Sequence, residues 1–168
     1  MRTLYLMLGY PGAGKTTAAN TITELTGAVH LASDKIRLEM FPHPQFTPEE
    51  HAALYESIDE KTETLLEQGK DVIYDANLNQ YTHRQEKYDI CERVGAKPVL
   101  LWLQTPREVS KERAVHDSRN HLWPRDEAPD KMFERLVGVF EPPHPDEPYI
   151  MLDGTKIHPE YIKQALNL

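Results

Sequence analysis

The sequence has little that would tie it to a secreted, membrane-spanning or metal-scaffolded protein. It holds one cysteine, Cys91, among 168 residues. No intrachain disulfide can form, and a reducing, cytoplasmic setting is the expectation. No apolar run approaches the about 18 residues of a membrane span, and the run 4–8 is too short for a signal peptide. Basic residues are the minority: 19 Lys and Arg stand against 27 Asp and Glu, a net charge of −8. That excludes a body coated with a basic nucleic-acid footprint, while leaving room for a basic cleft. The 8 histidines show no metal-ligand spacing, and His43, His144 and His158 stand beside prolines. There is no hydrolase serine elbow, no Asn-Lys-x-Asp base-reading motif, no internal repeat and no linker. What is present, 39% hydrophobic and 27% charged residues, suits one globular domain spanning residues 1–168.

The chain is organised around Gly9-Tyr10-Pro11-Gly12-Ala13-Gly14-Lys15-Thr16, which fits G-x-x-x-x-G-K-[ST]. A short apolar run precedes it and reads as a buried strand. The stretch from Thr16 to Leu25 reads as a helix ending near Gly27. Glycines at 12 and 14 permit positive φ and close approach to a ligand, so successive N–H groups can form an anion cradle. The first helical turn, with Thr17, adds further N–H groups and the positive end of the helix dipole. Lys15 suits the β- and γ-phosphates, and the Thr16 hydroxyl suits Mg²⁺. The bland alternative is an ordinary glycine turn, but all four fixed positions and both flanks fit the phosphate loop.

Further strands are predicted at 28–31, 72–74, 98–103 and 149–152. The helices between them are predicted at 35–40, from Thr47-Pro48, from Thr82 to Gly95, from Thr105-Pro106 to about 117, and over 130–140, with a last one at 159–166. Ser33 or Asp34 is the expected cap of the second helix. Thr47, Thr82 and Thr105 are the expected caps of the next three. Five strands alternating with helices imply a parallel sheet covered on both faces, an α/β three-layer sandwich. Ligands of such sheets sit at the strands' carboxyl ends. Gly9, Asp34, Asp75 and Thr105 all fall there.

These placements nominate a site. Asp34 can take the proton of an acceptor hydroxyl; alternatively it is a helix cap. Arg37, one helical turn on, can bind an acceptor phosphate or hydroxyl; alternatively it is a surface arginine. Asp75 ends an apolar strand, where a carboxylate orients Mg²⁺ or its water shell. Asn77 and Asn79 follow on its loop, where turn chemistry also favours asparagine. Arg113 and Arg119 belong to a basic segment, about 106–125, that can close over bound ATP and stabilise transition-state charge.

Taken together, the glycine loop, Ser33-Asp34-Lys35-Ile36-Arg37, Tyr74-Asp75-Ala76-Asn77-Leu78-Asn79 and Glu112-Arg113 resemble the small P-loop kinases of the AAA_33 type. Among these they are most similar to the 5′-kinase domain of phage-type polynucleotide kinases. The resemblance implies a nucleoside- or nucleotide-kinase-like fold with ATP and Mg²⁺ as cofactors. It implies Asp34 as general base, Arg37 on an acceptor-side phosphate, Asp75 and Asn77 organising the site, and Arg113 as a lid residue on the ATP phosphates. Ala76 departs from the family's usual Ser or Thr, and no appended phosphatase or ligase domain is expected. The implied activity is transfer of the γ-phosphoryl group to a hydroxyl, on a nucleic-acid 5′ end or nucleotide, or else on a sugar, antibiotic or nucleotide sugar. An ATP-binding switch without transfer is the rival from another class.

Overall fold

A computed structural model describes residues 1–117 and 122–168. In chain order the elements are β1 (Thr3–Leu8), α1 (Lys15–Thr26), β2 (Val29–Ala32), α2 (Ser33–Met40), α3 (Pro48–Glu67) and β3 (Val72–Asp75). Then follow α4 (Tyr81–Val94), β4 (Lys97–Gln104), α5 (Arg107–His116), α6 (Pro129–Gly138), β5 (Tyr149–Asp153) and α7 (Pro159–Leu166). All strand pairings are parallel, in the order β2-β3-β1-β4-β5. The glycine loop therefore leaves the central strand, and β3 stands beside it.

Strand alternation divides the core into two layers. Leu4, Leu6, Leu8, Val72, Tyr74 and Leu100 face one way, against Leu54, Ile58 and Leu66 of α3 and Ile90 and Cys91 of α4. Tyr5, Met7, Ile73, Leu101, Leu103 and Leu152 face the other, against Ala18, Ala19 and Ile22 of α1 and Ile162 of α7. Cys91 is buried, and that burial pushes its thiol up to about 11, so it packs rather than reacts.

The helix boundaries follow backbone chemistry more than side-chain caps. Gly27 closes α1 and Gly95 closes α4 in the left-handed conformation, at φ 75 and 66. Thr47 caps α3 as expected, accepting from the Glu50 N–H at 3.1 Å, with Pro48 at the first position. Three expected caps are corrected. Helix α2 starts at Ser33 on Ala32, with no side-chain cap bond. Helix α4 starts at Tyr81 on Gln80, likewise without one. Helix α5 starts after Pro106, because the Thr105 hydroxyl is used elsewhere: it donates to the Ala13 carbonyl at 2.8 Å. That bond ties the end of β4 to the glycine loop.

One buried ion pair fixes the irregular stretch 141–148 before β5. Arg84, fully buried on α4, donates through Nε and Nη2 to both oxygens of Glu147, each at 2.8 Å. Its remaining N–H groups go to the carbonyls of Leu78, Glu141 and Pro142 at 2.8, 3.1 and 3.2 Å. All five guanidinium donors are thus used. Glu147 also accepts from the Tyr88 hydroxyl and the His144 N–H. Burial raises the Glu147 carboxyl pKa, but Arg84, the His144 N–H and Tyr88 outweigh it and hold the group below the usual carboxylate range.

Candidate functional site

The glycine loop is held by what packs on it. Gly12 and Gly14 sit at φ 77 and 104, where other residues are strained. A β-carbon on Gly12 would lie 2.1 Å from the Ser110 carbonyl oxygen, so α5 rests directly on the loop backbone. Lys15 Nζ donates to the Gly9 and Tyr10 carbonyls at 2.8 and 2.9 Å, lying across the loop it serves. Two loop side chains turn away. Tyr10 packs edge-on against Phe133 and Phe140, and Ala13 is buried in the core. Thr17 is exposed on α1, outside the cavity lining.

Beside the loop, the Thr16 hydroxyl donates to Asp75 Oδ2 at 2.9 Å, and the same oxygen lies 2.8 Å from His30 Nε2. The sheet register explains the second contact. Ala32 pairs with Asp75 and His30 with Ile73, so His30 and Asp75 emerge on one face of adjacent strands. Nothing in the sequence singled out His30, because its partner lies 45 residues away. The Thr16 hydroxyl and Asp75 carboxylate form a hard oxygen pair at the positive end of α1. That donor set fits Mg²⁺.

Both residues open into a cavity of about 990 Å³ at the carboxyl edge of the sheet. Gly9, Pro11, Gly12, Gly14, Lys15 and Thr16 line one part of it. Asp34, Arg37, Asp75, Asn77 and Asn79 line another. The structure thus brings these predicted residues together, although they come from three separate stretches of chain. Asp34 is exposed in the first turn of α2.

Other predicted residues sit differently. Arg37 is buried, not a surface arginine, and pairs with Glu50, while its guanidinium lies 5.1 Å from the Phe46 ring centre. Glu50 also accepts the Gln45 and Phe46 N–H groups, each at 2.8 Å, instead of closing a capping box. Asn77 caps its own loop, accepting the Asn79 N–H at 3.0 Å; Asn79 is buried and its carbonyl accepts from the Glu141 N–H. Arg113 lies outside the cavity lining and donates to the Gly154 carbonyl at 3.1 Å. Gly154 in turn lies against Gly14 and Ala13. Arg119 lies outside the described residues.

These buried charges set the pH response. Burial raises the Glu50 pKa, but the loop N–H groups and Arg37 outweigh it, so it stays below the usual carboxylate range. Burial, Arg37 and His83 lower the His51 pKa, against a small opposing effect of Glu50. A depressed carboxyl pKa stabilises fully above the unfolded value of about 4.3 and loses that contribution as pH falls through the folded value. His51 acts earlier: below about pH 6.5 the unfolded chain binds its proton and the folded chain resists it. Urea midpoints should therefore decline gently below about pH 6.5 and steeply below about pH 4. His51→Gln should remove the gentle part alone. A midpoint that rises on acidification from pH 7 to 5 would contradict these signs.

A glycine loop on the central strand, with a strand-end carboxylate on its threonine, is the arrangement expected of a P-loop phosphotransferase. The chain belongs to the AAA_33 family, an AAA domain, whose model matches residues 4–143. It is 28% identical over 145 residues to a cytidylate kinase from Methanopyrus kandleri, covering 78% of this chain and 74% of that one. A sugar kinase structure from Janibacter sp. HTCC2649 superposes with a TM-score of 0.69 at 24% identity, over 99% of this chain and 93% of that one. A chain of the Pnkp1/Rnl/Hen1 RNA repair complex superposes at 0.65 and 21% identity, over 82% of this chain and 45% of that one. The fold is that of P-loop kinases, and the chain is an enzyme of that phosphotransferase class. The matches do not single out polynucleotide kinases among them. Among the described residues, no helix is long and apolar enough to cross a membrane.

Proposed function

We propose that this protein is an ATP- and Mg²⁺-dependent kinase that moves the γ-phosphoryl group of ATP onto a hydroxyl acceptor, the whole chain acting as one catalytic unit. The observation that carries the reading is the single cavity lined by Lys15, the Thr16–Asp75 pair and Asp34. In the transfer, the acceptor oxygen bonds to the γ-phosphorus, and the bond from that phosphorus to the bridging oxygen of ADP breaks. The hydroxyl proton passes to Asp34. Lys15 leaves the Gly9 and Tyr10 carbonyls for the β- and γ-phosphates, held also by the loop amides. Thr16 and Asp75 would hold Mg²⁺, with His30 fixing the carboxylate's direction. Bound there, Mg²⁺ supplies charge neutralisation on the phosphate oxygens. Arg113, and Arg119 with it, act as lid residues when segment 106–125 closes, Arg113 exchanging the Gly154 carbonyl for a phosphate oxygen.

Saturating ATP at about 100 times its Kd should stabilise the wild-type chain by about 2.7 kcal/mol. Lys15→Ala should abolish that gain, read as the ATP-dependent shift in melting temperature. An unchanged shift would refute the role given to the lysine. Transfer of labelled phosphate to nucleosides, oligonucleotides, sugars and aminoglycosides tests the reaction itself.

A further inference from the structure

Among the described residues, the acceptor end of the cavity is poor in available positive charge. Arg37, a buried cation there, is held by Glu50, and Glu50 is itself anchored by two loop amides. A second nitrogen of Arg37 lies 3.3 Å from His51 Nδ1, and the guanidinium lies beside the Phe46 ring. Arg135, also in the lining, is paired through two nitrogens with Glu127 at 3.1 and 2.7 Å. His51, with its depressed pKa, stays uncharged near neutrality. Lys35 stands at the mouth and is exposed. Against these stand the carboxylates of Asp34 and Asp75. A phosphate on the acceptor would enter a region whose described arginines are already neutralised by Glu50 and Glu127, beside the carboxylate of Asp34, with Lys35 exposed to solvent.

The same cavity is rich in flat apolar surface. Phe46, Tyr55 and Trp123 line it, with Leu38 and Leu136. Tyr55 is fixed in place, because its hydroxyl accepts the Asn77 N–H at 2.8 Å and its ring lies 4.5 Å from that of His51. Phe46 is presented from a left-handed backbone at φ 55, an uncommon conformation stabilised by the Glu50 bond to its own N–H. Aromatic walls of this kind bind planar rings by stacking.

We infer that the acceptor is an uncharged hydroxyl compound carrying a flat ring, of the nucleoside type, and that the Arg37–Glu50 pair selects against acceptors bearing a phosphate. This rests on the kinase reading above and names the substrate class of the same site. It also departs from the resemblance, which would place Arg37 on an acceptor phosphate.

The test uses the full chain, labelled ATP and four acceptors: a nucleoside, its 3′-monophosphate, a 5′-hydroxyl oligonucleotide and an aliphatic sugar. The nucleoside should lead its 3′-monophosphate and the oligonucleotide by about ten-fold or more in kcat/KM. Phe46→Leu should raise KM for the nucleoside by about ten-fold while leaving KM for ATP unchanged, and Trp123→Ala should raise KM for the nucleoside by a similar factor. Glu50→Gln keeps an oxygen for one of the two loop amides and removes the charge that holds Arg37. It should move the ratio of 3′-monophosphate to nucleoside use upward by about ten-fold. Because both acceptors are compared on one preparation, a loss of folded protein cancels. Equal or better use of the phosphorylated acceptors by the wild type, or preference for the sugar, overturns this inference and leaves the kinase reading standing. ATP-dependent stabilisation without transfer to any acceptor overturns both.

Discussion

Asp34→Asn should lower phosphoryl transfer by about 10²–10⁴-fold, the usual contribution of a positioned general base, while ATP still raises the melting temperature. The substitution keeps the size of the side chain and removes its ability to take a proton. The alternative role for Asp34, capping α2, has no support in the local geometry. The helix begins one residue earlier, on Ala32, and no side-chain cap bond is made. A carboxylate in the first turn still gains from the helix dipole, by about 0.3–1 kcal/mol, so the variant should fold with a slightly lower melting temperature. The two readouts separate the possible roles. A base gives lost transfer with nucleotide binding intact, whereas a helix-stabilising residue gives a small stability loss with transfer intact. Full transfer by the variant would remove Asp34 from the chemistry. If the wild type transfers to no acceptor but ATP changes its conformation, the switch reading takes over.

The parts of this site that were legible in the sequence are those whose physics is local. Gly12, Gly14 and Lys15 must occupy fixed positions along one short loop for its amides to converge, so their spacing is the signal. Asp34 and Asp75 were legible for a related reason. Each follows an apolar strand, and in a parallel sheet those carboxyl ends gather at one edge whatever the strand order. Contacts that join distant stretches left no local trace. His30 meets Asp75 across 45 residues, and only the pairing of β2 with β3 brings them together. Thr105 shows how local consensus misleads. Threonine before proline is a good helix start, yet its hydroxyl goes to Ala13, 92 residues back, because the loop carbonyl needs a donor. Arg37 is a similar case: it reads as a surface arginine or an acceptor contact, and its burial and its pairing with Glu50, 13 residues on, left no trace in the sequence.

Arg84→Ala should destabilise the fold by about 3–5 kcal/mol, the cost of leaving one partner of a buried ion pair without the other. For a chain of 168 residues that is a drop of about 10 °C or more in melting temperature. The loss has two sources. Glu147 would keep a buried negative charge with only the His144 N–H and the Tyr88 hydroxyl to solvate it. The carbonyls of Leu78, Glu141 and Pro142 would also lose their Arg84 bonds. The second partner distinguishes these sources. Adding Glu147→Gln to Arg84→Ala neutralises the stranded charge, so the double variant should recover part of the loss, whereas additive losses would mean the two charges are not coupled. The effect should also reach the site. Arg84 ties the loop after β3 to segment 141–148 through Leu78, and the Glu141 N–H bonds the Asn79 carbonyl beside the cavity. A conservative Arg84→Lys keeps the charge but not the five-donor fork, and should lie nearer to alanine than to the wild type. If Lys matched the wild type, charge alone would hold this corner, and the carbonyl bonds would contribute nothing.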